Sequence, residues 1–268
     1  MPRYSLSLLL ALLLATVPAR AATLPDSGQN LCDNGSNVLV ACTSANTGDA
    51  ATYPRQDGRF GPDAKATAGT VTKIGGGAAG FDYSKIANNG SDLGAGVGLA
   101  LGTNPTDWAC TRDNNTGLTW EVKVTNAANL QHMNWTYTWY NSDGSTNAGN
   151  TGTPDTGAGV GSDNCIDNAR CDTEKFIADV NTVQLCGNTG WRLPTQRELL
   201  TLVHAGAQSP SIDPTYFPNT IASYFWSGSS YVPNPTNVWS VYFGNGSTNA
   251  GVLKTGSNYA RLVRGGQF

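Results

Sequence analysis

Four cysteines, Cys110, Cys165, Cys171 and Cys186, constrain the fold more than any other feature, because a segment of helical character separates the last two. Residues 172–183 (DTEKFIADVNTV) place Phe176, Ile177, Val180 and Val183 at helical spacing. A helix of that length holds its ends about 16 Å apart, whereas a disulfide needs Cα atoms within about 7 Å. Cys171 with Cys186 is thereby disfavoured. Two arrangements remain: Cys165–Cys171 with Cys110–Cys186, which is preferred, or Cys110–Cys171 with Cys165–Cys186. Cys32 and Cys42 flank the hairpin-like CDNGSNVLVAC and are expected to pair with each other. Six cysteines in a chain with export character point to disulfides, not to metal or redox chemistry.

A second helix start is written into GWRLPTQREL, residues 190–199. Thr195 followed by Glu198 is a capping box, in which each side chain satisfies a backbone N–H at the other position. Pro194 and Leu199 fall at the positions of a hydrophobic staple. Leu199, Leu200, Leu202 and Val203 form an apolar face, and Gly206 is the expected stop. Strand patterns surround the two helices. In DNNTGLTWEVK, Leu118, Trp120 and Val122 alternate with polar residues, and NWTYTWYN sets Trp135, Tyr137 and Trp139 on one face. Further strands are expected in YFWSGSSY, in VWSVYF, where Trp239, Val241 and Phe243 share a face, and in the tail up to RLVRGG. Short strands around two helices, without βαβ alternation, indicate an α+β fold with a mainly antiparallel, disulfide-linked sheet. Residues 69–105 are rich in Gly, Ala and Asn without sustained periodicity, so 22–105 reads as an irregular N-terminal extension and 106–268 as the folded domain.

Residues 1–21 carry Arg3, an apolar run over 6–17 and an Ala19-Arg20-Ala21 cleavage pattern, the signature of a secretory leader. The run falls short of the ~20 apolar residues that span a bilayer. The rest of the chain is therefore expected to be exported, to the periplasm, the cell surface or the medium, without a transmembrane segment. Residues 22–268 hold 14 basic and 19 acidic residues, a net charge of −5, which argues against a nucleic-acid partner. The charge is uneven: −8 over 22–186 and +3 over 187–268.

Several stretches taken together resemble a known family: DNNTGLTWEVK, YTWYN, CDTEKFIADVN, CGNTGWRLPTQRELLTLV, FWSGSSY, VWSVYFGNG and YARLVRGGQF. They are similar to the bacterial domain of unknown function typified by the C-terminal domain of the Legionella collagen-like adhesin, over residues 108–268. LPDSGQNLC, QDGRF and GFDYSKI carry a weaker likeness to long secreted members. The resemblance implies a C-type lectin-like core, with distant similarity to formylglycine-generating-enzyme-type domains, in which the WRLPT and RLVRGG segments belong to one scaffold. It also implies binding of sulfated polysaccharide, which the positive C-terminal part would suit. No collagen-like stalk is present.

These features lead to an exported, non-enzymatic recognition module whose partner is a carbohydrate or an extracellular protein, with an envelope structural or protein–protein interaction role as the alternative. An enzyme of formylglycine-generating type ranks third, since that chemistry uses C-terminal cysteines and none follows Cys186. No G-x-S-x-G elbow is present, and His132 and His204 are the only histidines. The expected ligand contacts are Tyr137, Trp139, Tyr140, Asp143, Asn147 and Lys254, because aromatic rings stack on sugar faces and carboxylates and amides orient hydroxyls. Trp120, Trp191, Arg192, Thr195, Glu198, Trp226, Trp239 and Arg264 are expected to be structural, with Arg192 or Arg264 in buried hydrogen bonds. No cofactor is implied. Calcium would find oxygen ligands in DNNTG, NSDGSTN and SDNCIDN, but no calcium or other metal motif is present, and such stretches are ordinarily turns.

Overall fold

The computed structural model describes residues 26–29, 31–33, 39–41, 56–155 and 164–266. The leader 1–21 and Cys42, and with it the Cys32–Cys42 pairing, lie outside these residues. In chain order the strands are β1 (Leu31–Asp33), β2 (Leu39–Ala41), β3 (Tyr83–Ala87), β4 (Asp92–Gly94), β5 (Trp108–Asp113) and β6 (Thr119–Glu121), then β7 (Thr136–Thr138), β8 (Tyr224–Ser230), β9 (Asn237–Tyr242), β10 (Ser247–Leu253), β11 (Ser257–Tyr259) and β12 (Val263–Arg264). The helices are α1 (Asp57–Phe60), α2 (Pro62–Thr67), α3 (Thr173–Thr182) and α4 (Gln196–Leu200). The α+β class expected from the sequence is what the chain adopts.

One five-stranded sheet has the order β12-β6-β5-β3-β4 and is antiparallel throughout. The other runs β10-β9-β8-β11-β7, with β11 parallel to β8 and all other neighbours antiparallel. The first sheet corrects the reading of 69–105 as irregular. β3 pairs with β5 from Tyr83↔Asp113 to Ala87↔Trp108, so the sheet crosses the boundary placed at residue 105. All five residues of β3 are buried, so no alternation was there to be read, and the Gly/Asn clusters around it are its turns.

The turn into β6 is built by Asp113, whose Oδ1 accepts from the Asn115 and Thr116 amides and whose Oδ2 accepts from the Thr116 hydroxyl. Leu118, Trp120 and Val122 are then buried, but so are their polar neighbours Thr119, Glu121 and Lys123. These charges sit inside because they neutralise one another. Glu121 pairs with the Lys123 ammonium at 2.6 Å and also accepts from the Leu262 amide. Arg261, fully buried, donates to the Glu121 carbonyl at 2.6 Å and to Thr220 Oγ1 at 2.7 Å, with its face over Phe217 and Phe225. Arg261 is thus the buried arginine of the RLVRGG tail, in place of Arg264, which is half-exposed and donates to the Thr189 carbonyl.

Two large apolar clusters, beside a small one of Trp139, Trp226 and Val238, hold the elements together. Phe81, Tyr83, Trp120, Leu199, Phe217, Phe225 and Phe243 belong to one, joining β3, β6 and α4 to β8. Cys110, Tyr137, Phe176, Cys186, Trp191 and Leu262 belong to the other, packing α3 against β5 and β7. Disulfides link Cys110 to Cys186 and Cys165 to Cys171, the preferred one of the two arrangements that helix length leaves open, with α3 between Cys171 and Cys186. Asp172 caps α3 by accepting from the Lys175 amide. The second helix is shorter than its apolar pattern suggests: α4 ends at Leu200 and a turn follows, so Gly206 is not its stop. His204 is buried against Phe81 beyond that turn. Among the described residues no helix is long and apolar enough to cross a membrane.

Candidate functional site

A groove of about 530 Å³ lies between the loop 140–152, the first turns of α3, the start of α4 and Gly228 on β8. Its two principal walls are built differently. At α4, Thr195 Oγ1 accepts from the Glu198 amide and the Glu198 carboxylate accepts from the Thr195 amide at 2.8 Å, so the capping box forms as the sequence predicts. Arg192 makes a fork-to-fork pair with the same carboxylate at 2.8 and 2.7 Å and donates to the Gly265 and Gly266 carbonyls. Burial alone would raise the Glu198 pKa. The bonds from Arg192 and Thr195 outweigh it and hold the carboxyl below its ordinary value.

The loop wall consists of short side-chain-to-backbone turns. Asn141 Oδ1 accepts from the Asp143 amide, and Asp143 accepts from the Ser145 amide, the Ser145 hydroxyl and the Thr146 hydroxyl. Those bonds hold Asp143 below the usual carboxylate range, so it is ionised at neutral pH. Asn147 Nδ2 donates to the Asn141 carbonyl, and the Ser142 amide donates to Glu174 on α3 at 2.7 Å, tying the loop to the helix. Tyr140 is fixed by Thr173, which accepts from its amide and donates to its carbonyl.

The six expected ligand contacts divide. Tyr140 and Asp143 line the groove, with fully buried Trp139 at its floor, where its indole N–H donates to the Ser227 carbonyl. Tyr137, Asn147 and Lys254 are corrected to interior positions. Tyr137 is stacked on Phe176 at 4.4 Å, and Asn147 and the Lys254 side chain are enclosed beneath the loop. The physical reason for Tyr137 is that β7 lies at a sheet edge whose inner face is covered by α3. Trp120, Trp191 and Trp226 are buried, while Trp239 is half-buried with its ring edge on Tyr231. Glu174, Ile177 and Leu193, which also line the groove, were not anticipated. Glu174 and Ile177 stand three residues apart and so share a helix face, which is the signal that could have found them.

The family model of the Lcl C-terminal domain matches residues 109–264, more than half of the chain. The chain belongs to this family. The matched segment of this Lcl C-terminal domain protein starts in β5 and ends in β12. Within it, the WRLPT and RLVRGG segments meet directly, the Arg192 amide donating to the Val263 carbonyl at 3.0 Å and the Val263 amide to the Arg192 carbonyl at 2.9 Å. No curated protein and no solved structure gives a significant match.

The positive charge of residues 187–268 is largely spent inside the fold. Arg192 is paired with Glu198, Lys254 and Arg261 are buried, and only Arg197 and Arg264 remain of the five basic residues. The groove itself presents Asp143 and Glu174 beside the Arg192–Glu198 pair. An anionic ligand would therefore meet carboxylates and a guanidinium whose charge is already matched.

Proposed function

We propose that this Lcl C-terminal domain protein is an exported, non-enzymatic recognition module that binds an uncharged stretch of carbohydrate in the groove beside loop 140–152. The observation that carries this reading is the lining itself. Tyr140, Ile177 and Leu193 offer apolar surface to a sugar face, while Asn141, Asp143 and Thr146 bring polar groups to the same groove. The family membership supports an adhesin-like module. The disulfides fit an oxidising compartment, and hence export. A C-type lectin-like arrangement accords with a loop-built site on a mainly antiparallel α+β scaffold. The sulfated ligand implied by the resemblance is disfavoured by the groove's charge.

The test is an array of neutral and sulfated glycans probed with the oxidised protein. Binding to neutral glycans is expected, weakened at least about tenfold, or 1.4 kcal/mol, by Tyr140→Ala and by Asp143→Ala with the fold intact. A blank array overturns the reading. An interaction role is then favoured by β10, an exposed edge strand onto which a partner's strand could add.

A further inference from the structure

The chain has six lysines, and four of them (Lys73, Lys85, Lys175 and Lys254) donate to backbone carbonyls of irregular segments. Lys254 is the extreme case. Only 1% of the residue is exposed, and its Nζ donates to the Asn147 carbonyl at 2.9 Å and the Asn150 carbonyl at 2.6 Å. The same nitrogen stands 4.1 Å from the centroid of the Trp139 ring. Lys254 is held in place by its own backbone, its amide donating to the Thr236 carbonyl and its carbonyl accepting from the Trp139 amide. Lys85 repeats the device in the other sheet, donating to the Gly96 carbonyl at 2.9 Å with its Nζ 4.1 Å from the Trp108 ring centroid.

Loop carbonyls converging on a buried positive charge are what a calcium loop supplies to its ion. An isolated ammonium buried here would be costly. Two carbonyls and the face of an indole compensate it, and in return they fix two points of the loop that walls the groove. Burial lowers the pKa of this ammonium to about 8, which leaves it a cation at pH 7. Among the described residues no group of three or more His, Cys, Asp or Glu side chains could hold a metal, so acidic side chains do not assemble a competing site there.

We propose that Lys254 is the positioning residue of the groove: its ammonium serves loop 140–152 as a built-in cation, making the order of that wall independent of calcium. The consequence for ligand binding rests on the recognition role proposed above, whereas the consequence for the loop does not.

The experiment is amide hydrogen exchange on the oxidised full-length protein, read at Asn141, Asn147 and Thr153, whose amides close the loop onto Thr151, Asp143 and Trp139. In the wild type, protection is expected to be equal in calcium and in chelator. Lys254→Met, which keeps the apolar stem, is expected to lower protection at these amides at least tenfold while β8 and β9 stay protected. In Lys254→Ala, n-propylammonium is expected to restore protection and 1-butanol, which fills the volume without charge, is not. Should a variant lose strand protection as well, recovery of loop and strands with n-propylammonium during refolding supports the proposal, and failure to recover overturns it. Undiminished protection in Lys254→Met, equal rescue by butanol, or a calcium requirement in the wild type would each overturn it too. A protected loop on a protein that binds no glycan sinks the recognition role and leaves this inference standing.

Discussion

The two walls of the groove teach different lessons about how this chain stores structural information. The capping box and ion pair of the wall at α4 are local, while Arg192 also reaches the remote Gly265 and Gly266 carbonyls. Arg192, Thr195 and Glu198 are bonded to one another across six positions at most. The loop wall is remote: Asn147 and Asn150 are held by a lysine more than 100 positions further along. A local wall can form as soon as its helix does. A remote wall can form only after β10 and β11 have delivered Lys254 to the underside of the loop. The same contrast appears in the disulfides, with Cys110 and Cys186 standing 76 positions apart and Cys165 and Cys171 only 6.

The largest effect is expected from the remote disulfide. In the chain-entropy account, opening the Cys110–Cys186 loop costs about 4.5 kcal/mol and opening the Cys165–Cys171 loop about 2 kcal/mol. Paired Cys→Ser variants compared by urea unfolding check the ranking. An equal or greater loss from the short loop would break the comparison, because it would place the larger constraint in the local link.

Next comes the ion pair. Glu198 is buried and its partner Arg192 about one-third exposed, so Arg192→Met, which leaves the carboxylate unpaired, is expected to cost about 3 kcal/mol, the low end for a broken buried pair. The pair also sets a pH dependence. The Glu198 pKa is depressed in the folded protein, so its stabilisation is complete above the ordinary value of 4.5 and is lost as pH falls through the folded value. Acid unfolding of Arg192→Met is therefore expected to begin at higher pH than in the wild type. An unchanged acid midpoint would mean that Glu198 owes its depressed pKa to the helix start and not to Arg192.

What could be read from the sequence follows this division. The capping box, the limits of α3 and the hydrophobic positions around Trp120 are fixed by neighbours, helix length disfavours a Cys171–Cys186 pair, and these features appear as expected. β3 was missed because a strand buried on both faces carries no alternation. Arg261 and the Glu121–Lys123 pair were missed because charge in a strand pattern ordinarily marks the solvent face, and only the folded chain shows the charges cancelling inside. In the sequence Lys254 reads as a ligand contact for the same reason: a lone lysine after an exposed strand gives no sign of the two carbonyls and the indole that enclose it.

The smallest effect sharpens the comparison most. Thr195→Ala removes the cap acceptor for the Glu198 amide and is expected to cost about 1 kcal/mol. Arg192 still holds the carboxylate, which keeps the loss small. Thr195 and Lys254 share no hydrogen-bond partner, so if the walls are independent the losses from Thr195→Ala and Lys254→Met should add to within about 0.5 kcal/mol in a double-mutant cycle. A larger coupling would have to pass through the groove floor, where Trp139 lies under Lys254 and donates to the Ser227 carbonyl on β8, while the hydroxyl of Ser229, two residues on, accepts from the Gln196 amide at the start of α4. The Ser230 hydroxyl, which donates to the Thr146 carbonyl, is a second link between loop and β8, so the Trp139 route has to be tested by itself. Ser229→Ala should abolish a coupling carried along it and leave the two single losses unchanged.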